Sequence, residues 1–289
     1  MASLFVSQSA VSSSEQFQRK IDIAITMLKR IKEEALELPV TLVADALYAK
    51  KKLLCFCREV HITMISRLRS DAALFAPMDS SRRRKKRGRP PVKGKRLTKL
   101  ARLAQQKEHF SPLTLMLYGK EKTVEYREFF AYWKPAAAVV KMVIVIYPRK
   151  RKTVTSYFFC TDLLRPVVSI ITAVAARWSL ENALKDMKQH LGLGQWQCWS
   201  EHSVIRSVPL TCTAYSTLMI WSQQQALQFA PTLWDTIPWR SHKETVSITD
   251  VLYQLKCQCI TESISSILPE DRLSKQKIEQ VIEILRLAA

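Results

Sequence analysis

Glycine is scarce in this chain, at five residues in 289, and none of the five builds a Walker loop or a dinucleotide fingerprint. Those motifs need glycines so that backbone amides can approach phosphates closely, and their absence excludes nucleotide-driven chemistry and a nucleotide cofactor. Acid is also in short supply: 45 basic residues face 25 acidic ones, for a formal charge of +20. That excess is larger than solubility requires and implies a polyanionic partner, with nucleic acid first and an anionic membrane surface second. Long apolar runs are missing too. The segments 135–147 and 208–221 are short or interrupted by Lys141 and hydroxyl side chains, so they read as buried elements and not as membrane spans. The N-terminal stretch has no basic region, no apolar core of useful length and no cleavage pattern, which gives a cytoplasmic location and no membrane partner as the expectation.

Seven cysteines, an odd number scattered along the chain, argue against a disulfide framework and for reduced thiols. Cys55/Cys57 and Cys257/Cys259 are separated by one residue, whereas zinc ligand pairs leave two to four between them, so they read as core or surface thiols. What the chain has is enough apolar material, 47%, to bury the core of one large domain or two small ones.

Residues 15–36 place Phe17, Ile21, Ile25, Leu28 and Ile31 at three-to-four spacing with cations between, the pattern of an amphipathic helix. After Pro39 comes Val40-Thr41-Leu42-Val43-Ala44, a short buried strand that stops at Asp45. A helix over 49–59 and a strand over 61–66 continue an α/β order. The order breaks at residue 76 and leads into Arg82 to Arg96, a segment of ten basic residues and no acid: Arg82, Arg83, Arg84, Lys85, Lys86, Arg87, Arg89, Lys93, Lys95 and Arg96. This block reads as a solvated loop that contacts DNA phosphates. Within it, Arg87-Gly88-Arg89-Pro90 also has the form of a minor-groove hook, although a generic phosphate-binding loop accounts for the same charge. Four β segments follow between 113 and 161, read as an antiparallel sheet inserted into the α/β domain. Residues 167–191 return to helical period, ending at Gly192/Gly194, and further helices are expected at 203–229, 246–265 and 275–288. The resulting organisation is 1–75, 76–162, 163–229 and 230–289.

The most informative window runs from Arg177 to Gly192. Steps of four and seven put Arg177, Glu181 and Lys188 on one helical face, so a carboxylate is flanked by two cations. Alone, that is an ordinary intrahelical pair worth ~0.2–0.5 kcal/mol. The spacing nevertheless resembles the Y-x2-R-x3-E-x6-K signature of insertion-sequence DDE transposases, with Val174 where the family has tyrosine. Trp178 beside the arginine and Gln189-His190-Leu191-Gly192 after the lysine agree with the resemblance. Leu42-Val43-Ala44-Asp45-Ala46-Leu47-Tyr48 looks like the strand that bears the family's second catalytic aspartate, and Arg67-Leu68-Arg69-Ser70-Asp71-Ala72 belongs to the same likeness.

What the resemblance implies is an RNase H-like catalytic core, incomplete at its N-terminus, carrying an inserted antiparallel β-rich subdomain and followed by C-terminal helices. It also implies two-metal phosphoryl chemistry with Mg²⁺ or Mn²⁺, in which Asp45 and Glu181 are metal ligands while Arg177 and Lys188 hold phosphates and orient the glutamate. The first aspartate of the family has no counterpart. The acids ahead of Asp45 are Glu15, Asp22, Glu33, Glu34 and Glu37, and none lies on a strand in this reading. The expectation is therefore a truncated transposase that is inactive alone, with DNA as partner and an intact transposase or a second copy as protein partner. A non-catalytic DNA-binding protein using 82–96, and a basic α+β protein whose helix matches by chance, are the competing readings. Trp196, Trp199, Trp221, Trp234 and Trp239 are as consistent with core anchors as with base stacking.

Overall fold

The computed structural model describes residues 19–34, 38–78, 92–147, 153–197, 200–224 and 246–267. The expected helix over 275–288 and the Pro- and Trp-rich loop at 230–244 lie outside the described residues, as do Arg82, Arg83, Arg84, Lys85, Lys86, Arg87 and Arg89. Two compact units emerge from the chain's internal contacts, one of residues 7–180 and one whose helical part begins at Glu181.

The first unit is built on a mixed sheet. Its strands are β1 (Thr41–Ala44), β2 (Thr63–Arg67), β3 (Leu74–Phe75), β4 (Ser111–Leu117), β5 (Lys120–Trp133), β6 (Ala138–Tyr147) and β7 (Val154–Cys160). The order across the sheet is β1-β2-β7-β6-β5-β3, with β4 also pairing β5. β1 and β2 are parallel, as expected for strands linked through a helix, here α2 (Lys51–Glu59). The remaining pairs are antiparallel. The strands read from sequence as an inserted sheet are thus continuous with the α/β part, because β7 pairs with β2 through Ile65↔Cys160, Ser66↔Phe159 and Arg67↔Phe158.

Both faces of this sheet are covered, which explains why its central strands read as nearly unbroken apolar runs. On one face Met64, Met142, Ile144 and Phe159 pack with Leu28 of α1 (Lys20–Glu34), Leu53, Leu54 and Cys57 of α2 and Leu100 of α3 (Leu100–Leu103). On the other, Ile65, Val143, Val145 and Phe158 pack with Val167, Ile170 and Ile171 of α4 (Val167–Ala176). Adjacent residues in a strand serve opposite clusters because the side-chain period is two. Each fully buried Leu, Ile or Phe here contributes roughly 1.5–3 kcal/mol. Lys141, which interrupts the apolar run of β6, is almost fully buried, and its ammonium donates to Arg165 O at 3.0 Å and meets Glu128 Oε2 at 2.7 Å. By length and composition alone, Val167–His190 is long and apolar enough to cross a bilayer. It is nonetheless divided at Arg177, and Val167, Ile170 and Ile171 are spent on the sheet.

The unit that begins at Glu181 contains most of α5 (Trp178–His190), α6 (Glu201–Gln224) and α7 (Ile248–Ile267). α5 ends where Gly192 takes φ 69°, a left-handed conformation that costs glycine nothing. At the start of α7 Ser247 donates to Asp250 Oδ2 from both its N–H and its Oγ, each at 2.7 Å.

Candidate active site at the end of the first strand

Asp45 follows the last residue of β1, in extended backbone with φ −75° and ψ 161°. It stands at the N-cap of a single 3₁₀ turn over Ala46–Tyr48, yet its side chain makes no capping hydrogen bond; the turn is closed by Tyr48 N–H to Asp45 O at 2.9 Å. The local duty that usually accounts for an aspartate here is therefore carried by backbone alone. Its carboxylate faces Arg177, with Nη2 3.5 Å from Oδ1, and is 55% exposed against 25% for the guanidinium. At that exposure the pair is worth ~0–1 kcal/mol and is no argument for stability.

Arg177 reaches Asp45 because α4 is anchored to the sheet by Val167, Ile170 and Ile171 and delivers its C-terminal residue to this end. The single helix expected over 167–191 is in fact two. Arg177 N–H bonds Ala173 O at 3.3 Å, but Leu180 N–H then bonds Arg177 O, a three-residue step, and Ser179 Oγ donates to Ala176 O at 2.6 Å. A serine hydroxyl competing for a helix carbonyl in this way interrupts the regular ladder. Arg177 accordingly lies in the junction between helices. Glu181 is half-buried in the first turn of α5, and Lys188 is exposed in the last turn, two turns further on and on the same face. Acid at the start and base at the end also suit the helix dipole. Asp45 and Arg177 belong to the sheet unit, and Glu181 and Lys188 to the unit that follows.

Sequence reading assigned no role to Arg67. The pair Ala44↔Ser66 places it one step further along β2, beside Asp45 at the same end of the sheet, exposed and donating to Ser156 Oγ at 3.3 Å. Only strand register reveals this proximity. Of the basic block, Lys93, Lys95 and Arg96 are described and exposed, and Lys93 Nζ lies 3.8 Å from the centroid of the Phe75 ring. Trp196 and Trp221 are half-buried, while Trp199, Trp234 and Trp239 lie outside the described residues.

Asp22 is ion-paired with Lys52, a contact between α1 and α2. Burial pushes the Cys57 thiol up to about 11, as fits a core thiol. A cavity of about 270 Å³, lined by Leu54, Arg58, His61, Thr63 and Asp162 among others, opens at the N-terminal end of β2, the opposite end from Asp45.

Two-metal chemistry needs several carboxylates gathered at one point. Among the described residues no group of three or more His, Cys, Asp or Glu side chains stands close enough to hold a metal ion. With Asp45 turned to Arg177 as well, the described residues do not fit a two-metal site.

Residues 7–128 match the family model described as DDE superfamily endonuclease, a transposase-type domain. The match begins ahead of α1 and ends within β5, so it takes in Asp45 and Arg67 but not Arg177 or Glu181. The mixed sheet with helices on both faces agrees with an RNase H-like domain of that kind. No curated protein matches the chain.

Proposed function

We propose, taking residues 7–128 as a DDE superfamily endonuclease domain, that the chain is an insertion-sequence transposase polypeptide that binds DNA in the cytoplasm and does not cut it unaided. The observation that carries this reading is the state of Asp45: a strand-end carboxylate relieved of capping and held by Arg177. A strand-end carboxylate that caps nothing and faces the Arg177 guanidinium suits phosphate chemistry better than fold maintenance.

In this reading Asp45 and Glu181 hold the metal-ligand positions of the superfamily, for Mg²⁺ or Mn²⁺, while Arg177 and Lys188 hold phosphates. In the same reading no residue is assigned to the first aspartate, and two carboxylates are too few for the two-metal arrangement. Residues 82–96 supply charge to the DNA backbone, and a complete transposase or a second copy is the protein partner that would supply the missing ligand.

A nicking assay with the purified chain, supercoiled DNA and Mg²⁺ or Mn²⁺ tests the proposal. The expected outcome is binding without nicking, identical in the wild type, Asp45→Ala and Glu181→Ala. Nicking by the wild type that disappears in both variants would overturn it.

A further inference from the structure

Ten cations lie between Arg82 and Arg96, and the described basic stretch that starts among them continues past Arg96. From Val92 to Lys107 there are six basic residues and no acid: Lys93, Lys95, Arg96, Lys99, Arg102 and Lys107, all exposed. Three of them recur at a fixed step of three, each immediately before a leucine: Arg96-Leu97, Lys99-Leu100, Arg102-Leu103. Leu100 is fully buried in the core cluster, and Leu97 and Leu103 pack against it. The leucines fasten the segment to the domain while the cations face solvent. None of the three cations has an ion-pair partner among the described residues.

The backbone under these cations is held at both ends. Upstream, Gly94 N–H bonds Ala76 O at 2.9 Å, Ala76 N–H bonds Lys95 O at 2.8 Å and Leu97 N–H bonds Leu74 O at 2.9 Å. Gly94 is needed at this approach, because a Cβ there would lie 2.8 Å from Ala76 O. Downstream, the Arg127 guanidinium donates to Leu103 O at 3.2 Å and Gln106 Oε1 at 3.0 Å. A chain fixed in this way presents charge without the ordering cost that a solvated tail pays on binding.

We infer that Arg96, Lys99 and Arg102 form a preordered rail for the phosphate backbone of duplex DNA. This deepens the DNA-binding reading above and rests on it. The rail contacts phosphates, which carry no sequence information, since its three cations are exposed and alternate with leucines held in or against the core. It also extends the contact surface past Arg96 onto α3.

The test is the salt dependence of binding to a random-sequence duplex, comparing the wild type with Arg96→Gln/Lys99→Gln/Arg102→Gln and with an equal-charge control, Lys20→Gln/Lys29→Gln/Arg30→Gln, on the exposed face of α1. Each lost phosphate contact lowers the slope of log K against log salt by about 0.9, so the rail triple should flatten it by roughly 2.7 and the control should leave it unchanged. Single Lys99→Gln, which removes no anchor, should flatten it by about one. Equal flattening by the rail and control triples, or none by either, would overturn the rail while leaving DNA binding intact. A loss confined to binding of anionic vesicles would overturn it in favour of a membrane surface. A wild type with no salt-dependent DNA binding removes the underlying reading itself.

Discussion

In the sheet unit, neighbouring residues such as Met64 and Ile65, or Phe158 and Phe159, are divided between two apolar clusters, and all four are essentially inaccessible. In α6 the buried residue is Thr211, while Val204, Ile205, Leu210 and Ile220 are exposed. The aspartates of the two regions differ in the opposite sense. Asp250, at the start of α7, is fully inaccessible and accepts two hydrogen bonds from Ser247, whereas Asp45 is half-exposed, caps nothing and faces an arginine. The helical unit uses its acid to build structure. The sheet unit derives its stability from apolar packing and leaves its strand-end acid without a capping role. Position beside a helix start therefore does not by itself make an aspartate a cap; the bonds its carboxylate makes do.

The strongest test of this contrast is core truncation. Phe159→Ala should cost about 3–5 kcal/mol, since the ring is inaccessible and lies 4.9 Å from the Trp133 ring. Leu210→Ala, at 71% exposed, should change stability by no more than ~0.5 kcal/mol. Urea denaturation followed by tryptophan fluorescence measures both, and a Leu210→Ala cost matching that of Phe159→Ala would dissolve the contrast. Next in size comes the pair of aspartates. Asp250→Ala strands the Ser247 N–H at the start of α7 and should cost about 1–3 kcal/mol. Asp45→Ala removes a half-exposed ion pair and should cost ~0–1 kcal/mol. If Asp45→Ala proves the more destabilising, Asp45 is a structural residue and its assignment to the metal site loses its basis.

Much of the sheet was legible in the sequence because its strands are local signals. The unbroken apolar runs of β6 and β7 mark burial on both faces, and the stop of β1 at Asp45 is visible residue by residue. What joined those strands was not legible: the β2–β7 pairing brings together residues some ninety positions apart, and β3 is only two residues long, too short to show a period. The break at Arg177 was hidden because Val167–His190 keeps helical spacing throughout, and the Ser179 hydroxyl bond that accompanies the break leaves no mark on that spacing. The nearness of Arg67 to Asp45 along neighbouring strands follows from register alone. The leucines at 97, 100 and 103 were present as a three-residue repeat, but the dense charge of 82–96 just ahead of them obscured the apolar anchor.

The smallest effect sets one tyrosine of each region against the other at alkaline pH. Tyr147, at the end of β6, is pushed up to about 12, first by burial and then by the neighbouring Tyr118, with Arg67 pulling the other way. Tyr215 of α6 is also raised, by burial and then by the charge and hydrogen bond of Asp186. A phenol whose folded value lies above the unfolded value of 10.0 retains its proton in the native state after the unfolded chain has lost its own. Its contribution is thus fully present below about pH 10 and is lost as pH rises through the folded value near 12. Denaturation midpoints measured across that window should fall less steeply in Tyr147→Phe than in the wild type. Tyr215→Phe should flatten the same curve less, because its ring is only half-buried and water can reach the phenolate. A wild-type slope retained in Tyr147→Phe would place the alkaline loss elsewhere, and the buried thiols Cys57 and Cys160, both raised by burial, are the groups that would then account for it.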